Sequence, residues 1–211
     1  MLNRTKYFRK LCLSGSFLVG LISLSSTANA QFIGINVDYG IDYSAAPGKV
    51  DGFSVGISHP TPFIPNIGYS SVSFKDKETI TDSSSNKLSL ETTTTIKTIN
   101  LFYNVPFPVV TITVGFGYGS QNLNTGVETK TTIKENTDAQ DTSDLKTSAS
   151  EAFFHIGLPF WNTVEFHLGY HLMSFTSIDI TSERSDPFEG TYNTKKNYSG
   201  GMTTIGVQVA F

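Results

Sequence analysis

Three histidines and two glutamates lie close together near the end of the sequence. They are His155, His167 and His171, with Glu151 and Glu165 beside them. Imidazole and carboxylate groups of this kind can bind zinc or exchange protons in acid–base catalysis. The same groups can also form a buried ion-pair network with no further role, because an unpaired buried charge is costly. The elements that carry these residues decide between the two interpretations.

These residues lie in two segments, residues 151–158 and 164–172. Both alternate apolar and polar side chains, which predicts β-strands. In the second segment, Glu165, His167 and His171 share one face, and Phe166 and Leu168 lie on the other. Similar alternation recurs to the end of the chain and no stretch has a helical period. We therefore predict eight strands, at about residues 32–43, 52–58, 67–74, 99–103, 110–119, 151–158, 164–172 and 204–211. The third changes phase near Ser70 and Ser71, which predicts a β-bulge.

The polar phase of these strands indicates which face looks outward. A soluble lipocalin-like barrel buries its apolar face, whereas a membrane barrel turns that face toward lipid. Here the polar phase has few charges and is rich in glycine, which suits the narrow interior of an eight-stranded barrel. Those glycines are Gly34, Gly40, Gly52, Gly56, Gly115, Gly117, Gly119, Gly157, Gly169 and Gly206. The sequence thus predicts an all-β fold, a closed antiparallel eight-stranded up-and-down transmembrane β-barrel.

The histidines and acids should then meet inside this barrel. If the turn between the sixth and seventh strands centres on Trp161, His155 lies opposite His167 and Glu151 opposite His171. With two aspartates of the first strand, we predict one lumenal polar network: Asp38, Asp42, Glu151, His155, Glu165, His167 and His171. We interpret it as structural, with a pH-responsive, metal-binding or catalytic role as the alternatives. No catalytic, cofactor-binding or metal-binding residue is predicted.

Link lengths predict the orientation of the barrel. The links at residues 60–65, 106–108 and 159–162 are short. Of the other links, the one at about 44–49 is short, and those at 76–90, 123–147 and 181–196 are long and polar. Short periplasmic turns and longer extracellular loops are typical of outer-membrane barrels. We expect residues 130–144 to be solvated and mobile. Four aromatic residues are expected to form a belt at the outer membrane interface: Tyr39, Tyr43, Tyr118 and Phe175.

The last strand, residues 204–211, has apolar alternate positions and a terminal Phe211. It resembles the C-terminal signature of bacterial outer-membrane barrels, and the resemblance implies that the barrel-assembly machinery recognises this strand. The whole mature chain resembles the small barrels of the OmpA/OmpX kind. More narrowly, the His59-Pro60-Thr61-Pro62 turn and the following Pro65-Asn66 are similar to a little-characterised proteobacterial outer-membrane family. These resemblances imply a fold and a location but no reaction.

The first thirty residues predict a secretory signal peptide. A basic start precedes an apolar run at residues 11–24 and an Ala28-Asn29-Ala30 cleavage site, so cleavage is expected after Ala30. The mature barrel, residues 31–211, would have no cysteine, because Cys12 is the only one in the sequence. With 11 basic against 18 acidic residues its net charge would be −7, which argues against a nucleic-acid partner.

We therefore predict an integral protein of the bacterial outer membrane, not an enzyme, with a structural or surface-interaction role through its extracellular loops. Its interior would be plugged by side chains. The expected partners are outer-membrane lipids, the barrel-assembly machinery and an extracellular ligand or surface. The competing hypotheses are an enzyme that modifies outer-leaflet lipid and a soluble periplasmic lipid-binding barrel. His171 and Ser174, which such an enzyme could use, should lie on opposite faces of their strand.

Overall fold

The computed structural model describes residues 33–211, with gaps at 62, 82–86, 136–137, 162, 176–177 and 185–189. The predicted signal peptide, at residues 1–30, lies outside the described residues. None of the helices in the described part is long and apolar enough to span a membrane. The strands are β1 Gly34–Tyr43, β2 Val50–Ser58, β3 Asn66–Thr81, β4 Lys87–Pro106, β5 Thr111–Gly119, β6 Gly126–Glu135, β7 Asp138–Thr147, β8 Ala149–Trp161, β9 Val164–Phe175, β10 Ile178–Arg184, β11 Gly190–Lys196 and β12 Gly200–Ala210.

Eight of these strands form a closed antiparallel barrel, in the order β1, β2, β3, β4, β5, β8, β9, β12. Closure comes from β12 pairing with β1, where Gly34 lies opposite Ala210 and Tyr43 opposite Met202. The predicted fold class is confirmed. The other four strands lie in the long links, where β6 and β7 form one hairpin and β10 and β11 form another.

The outer surface of the barrel is apolar. Val37 on β1 is 48% exposed and Leu168 on β9 is 56% exposed, although both side chains are large and hydrophobic. Each barrel strand contributes such residues, for example Val37, Val55, Ile67, Leu101, Val114, Ile156, Leu168 and Ile205. The apolar phase therefore faces outward, as predicted from the glycine-rich opposite phase.

Glycines on the inner face make room for the large polar side chains. A Cβ atom on Gly206 would overlap Oδ1 of Asp38, and one on Gly157 would overlap Oε1 of Glu165. Because an eight-stranded barrel is only wide enough for its side chains to fill, each large polar group needs a small neighbour. Other inward glycines make room for apolar side chains, as Gly40 and Gly52 do for Met202.

The first strand departs from the expected phase near its end. A register shift between Gly40 and Asp42 places Asp42 at an exposed position and Tyr43 inside the barrel, 1% exposed. Tyr43 is therefore not part of an outward aromatic belt, and neither is Phe175, which is 9% exposed. Tyr39 and Tyr118 do face outward. A bulge adds one residue to a strand and so exchanges its two faces beyond that point.

The bulge predicted in the third strand is absent, since β3 pairs with both neighbours in continuous register through Ser70 and Ser71. Val72 and Phe74 point inward because the interior itself becomes apolar at this level. A buried apolar cluster closes that end of the lumen, and we call it the apolar cap: Tyr43, Val72, Phe74, Ile96, Val127, Ala149, Met173, Phe175, Tyr198 and Met202.

Beyond the cap, several strands continue past the barrel as a raised sheet. β3 has 16 residues and β4 has 20, and β4 pairs with β5 near its end and with β6 over Leu88–Lys97. β7 pairs with β6 at the edge of the same sheet. We call β6, β7 and the upper parts of β3 and β4 the raised wall. Most of residues 130–144, which were expected to be solvated and mobile, lie in β6 and β7, because the Thr-rich β4 offers unpaired backbone groups that β6 satisfies.

We predict that Gly206→Ala destabilises the barrel by about 1–3 kcal/mol, because its Cβ would overlap both Asp38 and the Val37 carbonyl. Gly48→Ala is the matched control, since its Cβ would lie 3.9 Å from the nearest atom, the Lys75 carbonyl oxygen. Urea unfolding of the detergent-solubilised protein, followed by the fluorescence of its one tryptophan, measures the stability of both variants. Equal midpoints for the two variants would contradict the steric role of Gly206.

Candidate functional site

The candidate site is the polar cluster in the barrel interior. Six of the seven residues predicted for it come together, on β1, β8 and β9: Asp38, Glu151, His155, Glu165, His167 and His171. The seventh, Asp42, lies outside the cluster because of the β1 bulge. Asp38, Glu151, His155 and His171 are at most 1% exposed.

The strand register that was predicted to bring these residues together is wrong by two positions. His155 lies opposite Gly169, His167 opposite Gly157, and Glu151 opposite Met173. The turn does not centre on Trp161, because β8 continues to that residue with an irregularity after Pro159. A shift of two residues preserves the face of every side chain, so the cluster still forms, through diagonal instead of directly opposite contacts.

One half of the cluster links a carboxylate to two imidazoles. His171 Nδ1 bonds to Oε1 of Glu151, and His171 Nε2 lies 2.9 Å from His155 Nε2. The hydroxyl of Thr98 donates to the other carboxylate oxygen of Glu151. The ring of Phe153 stacks on His171 with centroids 4.9 Å apart and planes at 14°. These contacts fix both rings of this half.

The other half is organised around Asp38. Its Oδ1 lies 3.6 Å from His167 Nδ1 and 4.0 Å from His155 Nδ1, which is beyond hydrogen-bond distance in both cases. The other nitrogen of His167, Nε2, lies 2.8 Å from Oε1 of Glu165. The hydroxyl of Thr111 donates to Glu165 Oε2 at 2.5 Å. The two halves thus form one chain of polar groups across the lumen, with its weakest contacts at Asp38.

Several supporting residues were missed by the sequence analysis. Thr98 and Thr111 bond to the two glutamates, and Asn100 donates to Ser70, whose hydroxyl donates to Ser54. Their strands carry no histidine or acid on the inner face at these levels, so no local pattern marked them. The one available signal was that these residues lie on the inward-facing side of strands that alternate polar and apolar residues.

The cluster contains three carboxylates and three imidazoles, and all of them are buried except Glu165, whose side chain is 13% exposed. Removing one partner from such a pair leaves an uncompensated buried charge, which is strongly destabilising. The arrangement can hold the strands together through charge pairing, and it can also bind a cation where lone pairs face each other. The fourth histidine, His59, lies apart in the turn after β2, where Nδ1 accepts from the Thr61 amide and Nε2 lies 3.3 Å from the Pro65 carbonyl.

A second polar contact lies beyond the apolar cap, between the raised wall and the end of β11. Lys196 Nζ lies 2.6 Å from Asp76 Oδ2 and 2.9 Å from Glu78 Oε2, and the Tyr198 hydroxyl donates to Asp76 at 2.8 Å. The Tyr198 ring packs edge-on against Phe74 at 5.0 Å. This contact, the mouth contact, fastens the segment before β12 across the end of the barrel.

The charges and hydrogen bonds of the mouth contact shift the pKa values of its three groups. Partial burial opposes ionisation of Asp76, but the hydrogen bonds from Lys196 and Tyr198 outweigh it and hold the pKa of Asp76 below its usual value. Burial likewise opposes the charge on Lys196, but hydrogen bonds to Asp76 and Glu78 raise the pKa of this ammonium. Burial and the neighbouring Asp76 carboxylate both raise the pKa of Tyr198. All three groups therefore keep their paired forms at neutral pH.

The fold is similar to those of solved outer-membrane proteins. A major outer membrane protein from Thermus thermophilus matches with a TM-score of 0.53 at 9% identity, over 85% of this chain and 98% of that chain. Neisserial surface protein A matches with a TM-score of 0.45 at 13% identity, over 85% of this chain and 96% of that chain. The N-terminal β-barrel domain of OprF from Pseudomonas aeruginosa matches with a TM-score of 0.45 at 14% identity, over 87% of this chain and 100% of that chain.

At 9% identity, the first of these similarities shows a shared fold and does not extend to activity. No protein-family model matches the sequence, and no curated protein matches it. The predicted resemblance to small outer-membrane barrels is confirmed at the level of the fold. The narrower resemblance of the His59-Pro60 turn stays a prediction.

We predict that His171→Leu lowers the free energy of unfolding by about 3–5 kcal/mol, because it leaves Glu151 charged and unpaired in the interior. Adding Glu151→Gln should recover part of this loss, since the second change removes the uncompensated charge. Urea unfolding of both single variants and the double variant measures the coupling. Strictly additive effects would show that the pair is not energetically linked.

We also predict that Asp76→Asn loosens the mouth contact by about 1 kcal/mol, because it weakens two hydrogen bonds to a charged group. Hydrogen exchange at the amides of residues 199–201 should then be about fivefold faster. Lys75→Gln is the control, since its ammonium is exposed and the ion pair with Glu91 in the same wall contributes little.

The lowered pKa of Asp76 gives the sign of the pH dependence. The contribution of the mouth contact should be complete above the ordinary aspartate pKa of 3.8 and lost as the pH falls through the lower folded-state value. The wild-type protein should therefore approach the protease sensitivity of Asp76→Asn in this segment only in strong acid. Equal sensitivity of the two proteins at about pH 6 would contradict this assignment.

Proposed function

We propose that this chain is an integral protein of the bacterial outer membrane with a structural or surface-interaction role. The observation that carries the proposal is the combination of an outward apolar surface with a closed, charged and polar interior. In water, apolar surface on every strand costs about 25 cal/mol per Å², whereas in a bilayer it is the favourable arrangement. The similarity to the outer-membrane protein of Thermus thermophilus supports the same location through the fold.

The two ends of the barrel support one orientation. Gly34 and Ala210 lie at the same end as the short turns after β2, β4 and β8, which fits the periplasmic side of such barrels. The raised wall and the β10–β11 hairpin project from the opposite end. We propose that this end is extracellular and that the wall presents its strands to a ligand or surface outside the cell.

The interior supports a plugged barrel instead of an open channel. The polar cluster fills the lumen between β1, β8 and β9, and the apolar cap closes it toward the raised wall. A buried Met202 approaches Gly40 and Gly52 so closely that a Cβ on either glycine would lie within 2.8 Å of its sulfur. Free conduction through this lumen is not expected.

The competing hypotheses fit these observations less well. A soluble lipid carrier needs an apolar interior, and the centre of this lumen holds carboxylates and imidazoles. A lipid-modifying enzyme of the histidine–serine kind needs a histidine at the membrane rim. Three of the four histidines are buried in the lumen, His59 lies in a turn, and Ser174 is exposed on the opposite face of its strand from His171.

The proposed partners follow from the same surfaces. The apolar exterior would contact outer-membrane lipids, and the last strand with Phe211 would be recognised by the barrel-assembly machinery. Phe211 is 69% exposed, and its amide donates to the Ile33 carbonyl at 2.9 Å, so its side chain is accessible while its backbone is held. Signal-peptide cleavage near Ala30 is proposed as the route to the periplasm.

Cysteine labelling in intact cells tests the location and the orientation together. The proposed mature chain has no cysteine, so Lys130→Cys on the raised wall and Val109→Cys in the turn after β4 would each be the single reactive thiol. Lys130 is exposed, and Val109 is 76% exposed. A membrane-impermeant maleimide should label Lys130→Cys in intact cells, and Val109→Cys only after the outer membrane is permeabilised.

The wild-type chain is the background control, and both variants should keep the heat-dependent gel mobility of a folded barrel. Labelling of Val109→Cys but not Lys130→Cys in intact cells would show that the orientation is the opposite of the proposed one. Recovery of the unlabelled protein in the soluble periplasmic fraction would overturn the membrane location.

A further inference from the structure

We infer that the barrel interior contains a binding site for a divalent transition-metal ion of the zinc type, formed by Asp38, His155 and His167. These residues lie on β1, β8 and β9, and one potential ligand atom of each lies within 4.8 Å of those of the other two. Asp38 and His155 are at most 1% exposed and His167 is 5% exposed. No metal-binding residue was predicted from the sequence, because the contacts among these residues arise only in the fold.

The polar atoms that face one another in this site have no hydrogen-bond partner. They are Oδ1 of Asp38, Nδ1 of His155 and Nδ1 of His167, and Oδ2 of Asp38 also has no partner. Buried polar groups are almost always hydrogen-bonded, and a buried carboxylate without partners is especially costly. Three such atoms close together indicate a site for a positively charged ion.

Hydrogen bonds at the other nitrogens decide where the imidazole protons lie. His167 Nε2 donates to the Glu165 carboxylate at 2.8 Å, which leaves Nδ1 of a neutral His167 with a lone pair. His171 Nδ1 donates to Glu151, so its Nε2 accepts, and His155 Nε2 is the donor across the 2.9 Å contact. Nδ1 of a neutral His155 therefore also carries a lone pair. Two lone pairs and a carboxylate converge with no hydrogen atom between them.

The donor set selects the class of ion. Two imidazole nitrogens and one carboxylate oxygen suit zinc and related first-row ions, whereas calcium and magnesium prefer all-oxygen sites. Bonds of about 2.0–2.2 Å are required, so each side chain has to move inward by less than about 1 Å from the observed spacing. A water molecule would complete a four-coordinate site.

The surrounding contacts match the supports that metal-binding histidines usually have. Such histidines commonly donate their second ring nitrogen to a carboxylate, which fixes the tautomer and orients the ring. Glu165 holds His167 directly, and Glu151 holds His155 through His171. An ion at this point would join β1 to β8, which are not neighbours in the barrel, and so would hold the lumen closed.

The test uses untagged full-length mature protein, refolded in detergent either with a chelator or with Zn²⁺ alone. Zn²⁺ should bind with one ion per chain and raise the urea midpoint, whereas Mg²⁺ should do neither. Co²⁺ in place of Zn²⁺ should give the visible absorption of a four-coordinate nitrogen and oxygen site. His155→Gln and His167→Gln should each lower the affinity for Zn²⁺ at least about 100-fold, and Glu165→Gln should lower it about 10–100-fold.

His59→Gln is the matched control, because it changes a histidine outside the cluster and should leave the affinity unchanged. A folded wild-type barrel without Zn²⁺ stabilisation or Co²⁺ absorption would overturn the inference, whichever variants fold. Stability that depends on pH but not on Zn²⁺ would also overturn it, since protons would then neutralise the cluster. The measurement is made on the purified barrel, so its failure leaves the proposed surface role unaffected.

Discussion

The narrow interior of an eight-stranded barrel explains most other features of this molecule. Its interior is only wide enough for side chains to fill, so several large inward groups face a glycine. Gly206 beside Asp38 and Gly157 beside Glu165 are the clearest cases. The apolar residues that would fill the core of a soluble protein are therefore placed on the outside of the barrel. The inward and outward phases of the strands follow from this single geometric limit.

Charge pairing adds a second constraint within that space. The interior holds two fully buried carboxylates, Asp38 and Glu151, and a partly buried one, Glu165, and each has an imidazole nearby. Because unpaired buried charges are costly, the cluster favours the strand registers in which these groups meet. It thereby connects β1, β8 and β9 in a way that backbone hydrogen bonds alone do not. Around Asp38 this pairing is incomplete, because both of its carboxylate oxygens lack a hydrogen-bond partner.

The upper part of the molecule follows a different rule. Above the polar cluster the lumen is filled by aromatic and aliphatic side chains, and beyond them the mouth contact joins β3 to the end of β11. Strands that pass the end of the barrel lose their neighbours there, and β6 and β7 supply new backbone partners on one side. The long links are thus ordered by the same need to satisfy backbone hydrogen bonds that closes the barrel.

Local sequence was enough to establish the eight barrel strands, their inward and outward faces and most members of the polar cluster, because a period of two and the position of glycine are local properties. It could not establish the bulge after Gly40, which moved Asp42 out and Tyr43 in, because two strands have to be compared to see an extra residue. Nor could it establish the β8–β9 register or the β6–β7 hairpin, which depend on pairing energies between distant segments. Which atoms meet was settled by the closed barrel, since contact between Asp38 and the two histidines requires strands that the chain separates by more than a hundred residues.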